Sequence, residues 1–312
     1  MTFDADHRPR LADMRYLSVE TPMGLEGMLE ARPRGPRTTD PAMLADRVGY
    51  DAGFLGDFQV PWPVARGTLA PDILVVADGN RLDYLHFSVT MSVSRRMAAY
   101  VGVNIDGSAT VKIGRTSDRW SLDGRIAPEQ QIGEELYAGN GLDRGHLVRR
   151  EDPNWGPDAQ IANDDTFHFT NCAPQMSGFN QRTWLGLESY LLDNTRRWRE
   201  RITVFSGPIF HEDDLLYRGI QLPTAYWKVV AFLDDDGKPS ATAYMIDQVR
   251  ELATLEAVFG AFKTYQRSIR QIERLTNIDF GELVKFDGFS NEEAATGTRI
   301  EAELRSPSDI RV

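Results

Sequence analysis

Apolar residues in this chain recur at two different spacings, and the spacings predict different elements. Period-two alternation runs through His86–Val93, and a denser apolar run over Met97–Asn104 ends at Asp106-Gly107. Asp72–Ala77 leads into Asp78-Gly79, a turn signal, and Thr203-Val204-Phe205 reads as a buried strand. Trp227–Phe232 and Ala241–Ile246 flank Asp236-Gly237 as a hairpin. Thr166–Asn171 alternates aromatic and polar residues and is predicted as a strand, with Ala173–Gly178 turning the chain. Helical spacing is strongest over Asn180–Trp198, where Trp184, Leu187, Leu191 and Leu192 share a face. Glu251–Phe262, Ser268–Leu275 and short turns at Ile132–Leu136 and Leu25–Glu30 are also predicted helical, and Glu151–Asp165, with Pro153, Asn154, Gly156 and Pro157, is predicted as loop. Antiparallel groups of strands with interspersed helices predict an α+β fold with a mostly antiparallel central sheet.

The predicted organisation is an N-terminal arm and docking segment over residues 1–69, a main domain over 70–287 and a loosely held tail over 288–312. Within the arm, Tyr50–Gly56 carries aromatic and leucine side chains suited to docking on a core. Val60-Pro61-Trp62-Pro63 must be extended, because the residue before each proline is pushed out of helix. No internal repeat, phosphate-binding P-loop or dinucleotide fingerprint is visible.

Bulk composition narrows the picture only a little. The chain has 312 residues, enough for a full core, and no run of about 18 apolar residues. The start has no basic segment leading into an apolar one, and Cys172 is the single cysteine; together these predict a cytoplasmic location. Five histidines without metal-ligand spacing argue against zinc. The net charge of −11 runs against the usual basic footprint of a nucleic-acid protein, yet Arg144, Arg149, Arg150, Arg182, Arg196, Arg197, Arg199 and Arg201 crowd the central third. An acidic shell around a locally basic groove fits both facts.

The candidate chemistry centres on Asp143-Arg144-Gly145-His146. It sets a carboxylate, a guanidinium, a glycine and an imidazole on consecutive residues. Thirty-four residues past His146, Asn180 opens the long helical run. Phosphodiester hydrolysis needs an activated water, neutralisation of the phosphoryl oxygens and help for the departing oxygen. Histidine titrates near 6.5, roughly where a general base at neutral pH should. Magnesium commonly takes only one or two protein oxygens, so one Asn carbonyl can anchor it. Arginine matches phosphate with two parallel hydrogen bonds.

Asp143-Arg144-Gly145-His146, then Thr170-Asn171-Cys172-Ala173-Pro174-Gln175, then Phe179-Asn180-Gln181-Arg182-Thr183-Trp184-Leu185-Gly186-Leu187-Glu188, resemble the DNA/RNA non-specific endonuclease family. Ser206-Gly207-Pro208-Ile209-Phe210 and Pro223–Lys228 extend the resemblance over roughly residues 70 to 285. The resemblance implies a ββα-metal core of two strands and a helix around one Mg2+, with Mn2+ as a substitute. It implies His146 as general base, Asn180 as direct metal ligand and Arg96, or its neighbour Arg95, as the transition-state arginine. Arg144 would contact substrate phosphate, and Asn171 and Arg182 would support the site or the substrate. Glu188 matches the family's helix carboxylate; it lies about 12 Å along the helix from Asn180, so it is expected to act through a metal-bound water. Leu192 stands where the family often has an arginine.

The implied activity is Mg-dependent cleavage of DNA and RNA to 5′-phosphate and 3′-hydroxyl ends. Two alternatives remain at this point: a catalytically silent nucleic-acid-binding protein of the same fold, and a phosphodiesterase acting on small nucleotides. Family analogy adds a homodimer, and a free nuclease's danger to its host adds an inhibitor or activator protein. Without the surrounding motifs His146 would read as a hydrogen-bonded structural histidine and Asn180 as a helix cap. Asp143 reads as a structural acceptor, Cys172 as a small buried apolar residue and Trp184 as core; the role of His168 stays open.

Overall fold

The computed structural model describes residues 37–77, 79–114, 118–176, 199–247 and 263–304. Its strands, in chain order, are β1 (Thr38–Thr39), β2 (Val64–Ala65), β3 (Leu82–Asp83), β4 (Phe87–Met91), β5 (Ala98–Asp106), β6 (Leu122–Asp123), β7 (Leu142–His146) and β8 (Cys172–Met176). They continue as β9 (Arg201–Ile209), β10 (Leu215–Tyr217), β11 (Ile220–Leu222), β12 (Ala225–Leu233), β13 (Pro239–Asp247), β14 (Lys263–Arg267), β15 (Ile278–Asp279) and β16 (Glu301–Leu304). The α-helices are α1 (Glu134–Tyr137), α2 (Ala159–Asp165), α3 (Ile269–Thr276) and α4 (Gly288–Thr296). None of the described helices is long and apolar enough to cross a membrane.

Eight strands form one antiparallel sheet in the order β16-β14-β13-β12-β9-β5-β4-β3. Its central strands are buried on both faces, which is why their sequences read as nearly continuous apolar runs. Alternate residues serve separate cores. Val204, Tyr226 and Val230 join one core with Leu142, Leu147 and Phe169, whereas Phe205, Trp227 and Val229 join the other with Tyr50, Phe58, Ile272 and Phe280. Both cores are therefore built on the two sides of one sheet, and β7 and β8 lie on the first side.

The segment around Tyr50 lies on the second side. The Tyr50 hydroxyl donates to the Val60 carbonyl at 2.6 Å, and Val60 N–H donates to Ala52 O at 2.9 Å, which folds the segment back on itself. The Trp62 ring packs 5.5 Å from that of Tyr100, whose hydroxyl donates to Pro63 O. The arm is also tied by strand pairing, β1 to β6 and β2 to β15, so no structural break falls at residue 70: residues 36–312 form one compact unit.

Several predicted elements are found close to their expected bounds, among them β4, β5, the β12–β13 hairpin and α3. Four expectations change. Thr166–Asn171 is no strand: Thr166 ends α2, its hydroxyl donating to Asn163 O at 2.7 Å, and Phe169–Asn171 is a 3-10 turn. The strand begins only at Cys172, inside the segment expected to turn. Alternation of Phe167 and Phe169 misled because both rings pack around Trp120 from a bend rather than along a pleat. Within the expected loop over Glu151–Asp165 sits α2, too short to show a helical period. The expected tail holds α4 and the edge strand β16, which pairs with β14. The Glu293 carboxylate fixes it there, accepting from Ser268 Oγ at 2.8 Å, from Gln271 Nε2 and from Ile300 N at 3.0 Å. The helices predicted over Leu25–Glu30, Asn180–Trp198 and Glu251–Phe262 lie outside the described residues.

His168, whose role the sequence leaves open, is structural. Its Nδ1–H donates to Asp165 O at 2.8 Å and its Nε2 accepts from Thr39 Oγ1 at 2.9 Å, which ties β1 to the core. Burial pushes its pKa below the ordinary value, against the opposing pull of Asp165 and Asp123. His86, stacked on Trp155 with 3.4 Å between ring centroids, is lowered by burial as well. Burial thus favours the neutral form of both imidazoles in the folded state. An unfolded chain takes up these protons more readily below about pH 6.5, so the stability they contribute is complete above that value and is lost as pH falls through the lowered folded pKa. Urea unfolding midpoints measured from about pH 8 down to about pH 5 should fall, and His168→Gln should flatten that slope.

Candidate active site

The strands β7 and β8 form a separate two-stranded antiparallel ribbon. Its register pairs Asp143 with Gln175, Arg144 with Pro174, Gly145 with Ala173 and His146 with Cys172. Because strand side chains alternate, His146 and Arg144 share one face, and Asp143 and Gly145 the other. The His146 ring is half-buried between two aromatic rings, Trp120 at 4.7 Å and Phe167 edge-on at 5.2 Å. Arg144 is paired with Glu134 on α1, and its guanidinium lies 5.2 Å from the Tyr137 ring centroid.

What holds His146 in place lies one residue further on. Asn171, fully buried, accepts from Val148 N at 2.9 Å and donates to Val148 O at 2.9 Å and Thr166 O at 3.0 Å. Its own carbonyl accepts from Leu147 N at 2.9 Å. All the amide's atoms are used on backbone, which makes Asn171 a scaffold residue. The Leu147 carbonyl accepts in turn from Ser206 Oγ at 2.8 Å and Lys228 Nζ at 3.4 Å, both on central strands of the sheet. The ribbon is thereby fastened to the sheet immediately after the histidine.

The glycine of the motif is required by space rather than by a left-handed backbone. A Cβ on Gly145 would sit 2.0 Å from the Gln175 side chain, which lies across it. Gln175 is fully buried, and neither its Oε1 nor its Nε2 has a hydrogen-bond partner among the described residues. Nε of Arg144 and Nε of Arg96 are orphaned in the same way. Buried polar atoms normally have partners, and Nε of Arg144, on the same ribbon face as His146, fits a polar guest there. Gln175 pairs with Asp143 and so lies on the ribbon face opposite His146 and Arg144, with its side chain reaching diagonally over Gly145.

Arg95 and Arg96 separate clearly. Arg95 is buried, donates to Asp214 Oδ2 at 2.6 Å and to His211 O at 2.6 Å, and packs on Phe210. It is a structural cation. Arg96 is half-buried, sits at φ 57° and donates to Gln131 O at 3.0 Å, on the segment leading into α1. Of the pair, Arg96 keeps hydrogen-bonding capacity to spare. Cys172 is fully buried beside the Tyr137 hydroxyl, and burial pushes its thiol up to about 12, which removes it as a nucleophile. Asn180, Arg182, Trp184 and Glu188 lie outside the described residues, and among the described ones no group of three or more His, Cys, Asp or Glu side chains gathers in a metal-binding arrangement.

Comparison with known proteins adds the decisive observation: the model of the DNA/RNA non-specific endonucleases matches residues 68–287. The chain belongs to the DNA/RNA non-specific endonuclease family. Among its relatives, the uncharacterized protein y4fB of Sinorhizobium fredii is 38% identical over 304 residues, covering 89% of this chain and 46% of that protein. Human mitochondrial endonuclease G is 30% identical over 146 residues, 42% of this chain and 48% of that protein. The chain thus spans about half the length of these relatives. A solved complex of EndoG with EndoGI, described as showing the mechanism of EndoG inhibition, shares the fold at 19% identity and a TM-score of 0.51, covering 64% of this chain and 84% of that one. The α+β class with a mostly antiparallel sheet agrees with that likeness.

Within this family member, Gly145→Ala should cost about 1–3 kcal/mol in denaturant unfolding, and adding Gln175→Ala should recover most of it by removing the colliding side chain. Asp214→Ala should cost about 3–5 kcal/mol by leaving Arg95 buried without its carboxylate, whereas Arg96→Ala should change stability by less than about 1 kcal/mol.

Proposed function

We propose that this chain is a magnesium-dependent endonuclease that cuts DNA and RNA with little base preference, leaving 5′-phosphate and 3′-hydroxyl ends. The observation that carries the reading is the shared ribbon face of His146 and Arg144, fastened to the sheet one residue beyond the histidine. In this reading His146 takes the proton from the attacking water. Arg144, held at Glu134, and Arg96 donate to the phosphoryl oxygens as negative charge builds on them. Asn180 would hold the Mg2+, or Mn2+ in its place, with Glu188 acting through a bound water. Bound there, the ion supplies charge neutralisation and stabilises the departing 3′ oxygen. Contacts to phosphate carry no sequence information, which accounts for indifference to base and sugar.

The aromatic walls have a definite part in this chemistry. Trp120 and Phe167 limit the directions in which the imidazole can turn and shield one side of it from bulk water. A histidine so held loses little freedom on reaching the transition state. A protein inhibitor also fits the reading, since an EndoG structure is known with EndoGI bound.

His146→Ala should lower cleavage of supercoiled plasmid by at least about a hundred-fold while leaving the thermal unfolding midpoint nearly unchanged. Chelation of divalent metal should abolish cleavage by the wild-type chain, and added Mg2+ should restore it. A folded His146→Ala protein with full activity would refute the assigned base, and plasmid left intact by wild type across Mg2+ and Mn2+ would refute the nuclease itself.

A further inference from the structure

Two arginine-lined cavities lie near His146, each sharing with it one aromatic neighbour. The larger, of about 630 Å³, holds Arg37, Arg47, Arg119 and Arg150 against two carboxylates, Asp164 and Asp165. The smaller, of about 420 Å³, holds Arg37, Arg119 and Arg144 with Asp118 and Glu134. Arg37 and Arg119 line both, so the two adjoin. Each also reaches the histidine through an aromatic wall: Phe167 lines the larger and stands 5.2 Å from the imidazole, and Trp120 lines the smaller and stands 4.7 Å from it.

We propose that this arginine-lined groove, running from Arg144 past Trp120, Arg119 and Arg37 to Arg150, is the track that holds the phosphates of the nucleic-acid strand on one side of the cut. The proposal rests on the nuclease reading of the ribbon and adds to it where the strand goes. The charge argument is local against global. The whole chain carries 46 acidic and 35 basic residues, yet the larger cavity reverses that balance. Asp165 is already neutralised by Arg47, at 2.6 Å, Gln160 Nε2 donates to Asp164 at 3.0 Å, and Arg150 pairs with Glu151 at 2.9 Å while still lining the groove. A positive groove in an acidic protein focuses the field on the one path along which a polyanion is attracted. Trp120 and Phe167 give the same path flat apolar surfaces of the kind on which bases stack without sequence preference. The fold supports the placement. Arg37 is carried in on the N-terminal segment, where its carbonyl accepts from Leu122 N at 2.8 Å and β1 pairs with β6, so the arm completes one wall of the groove.

The test uses the full chain in two assays. Binding of a fluorescent single-stranded oligonucleotide is measured against salt in the His146→Ala background, with and without Arg37→Ala and Arg119→Ala. Hydrolysis of bis(4-nitrophenyl) phosphate is measured in the wild-type background with the same pair of changes. The double variant should bind the oligonucleotide at least about ten-fold more weakly, and the slope of log Kd against log salt should fall by roughly 0.7 for each arginine removed. Its rate on the small diester, which reaches the ribbon without using the groove, should stay within about two-fold of wild type. Arg37→Lys with Arg119→Lys should keep most of the slope, which separates lost charge from lost structure. An unchanged Kd and slope in the double alanine variant overturns the groove, and so does an equal loss on oligonucleotide and small diester. A wild-type chain that binds through these arginines but cleaves neither substrate supports the groove and refutes the nuclease reading. Wild-type cleavage with an unaltered slope in the variant does the reverse.

Discussion

The amide of Asn171 is the interaction on which the rest of the site depends. It spends its three hydrogen bonds on the backbone of Val148 and Thr166, and the residue's own carbonyl takes Leu147 N–H. Those bonds lock the β7–β8 register at the His146 end, and a ribbon's register decides which face each side chain occupies. Slipping it by one residue would exchange His146 and Arg144 with Gly145 and Asp143. Gln175 would then no longer meet the one residue without a Cβ. The motif's glycine, histidine and arginine are therefore consequences of one register, held by a buried asparagine that touches no substrate.

The sheet supplies what a ribbon alone lacks. Two strands by themselves are marginal in water. Here β9 and β12 lend Ser206 and Lys228 to the Leu147 carbonyl, and the apolar sides of Leu142, Leu147 and Cys172 join the core on that face. The opposite face is closed by the Tyr50–Pro63 segment and α3. Burial on both faces leaves the central strands no freedom to shift, which makes them a rigid platform for positions that chemistry requires to within fractions of an ångström.

Arginine is used in two separate ways. Arg95, Arg47 and Arg125 are consumed by carboxylates at Asp214, Asp165 and Asp123 and serve the fold. Arg37, Arg119, Arg144 and Arg150 line open cavities, where Arg144 is paired with Glu134 and Arg150 with Glu151. Composition alone sees only a −11 chain. Which arginines are buried against carboxylates and which line a cavity is decided by where the strands bring the acids.

The sequence by itself determined the fold class and the family. Period-two runs marked the sheet, turn residues marked its hairpins, and ordered motifs from Asp143 to Lys228 marked the DNA/RNA non-specific endonuclease family, because those signals are local or depend only on residue type. Tertiary structure alone decided three things. It separated Arg96 from Arg95, because the distinction rests on Asp214, far away in sequence. It gave Asn171 its supporting bonds to the backbone and set Gln175 over Gly145, because both depend on what lies across a ribbon. It also made Cys172 the start of a strand, and residues 288–304 a helix and an edge strand, because short elements acquire their conformation from partners such as His146 and β14. Local pattern fixes what a segment can become; long-range pairing, where burial and hydrogen-bond satisfaction are settled, fixes which of its side chains meet.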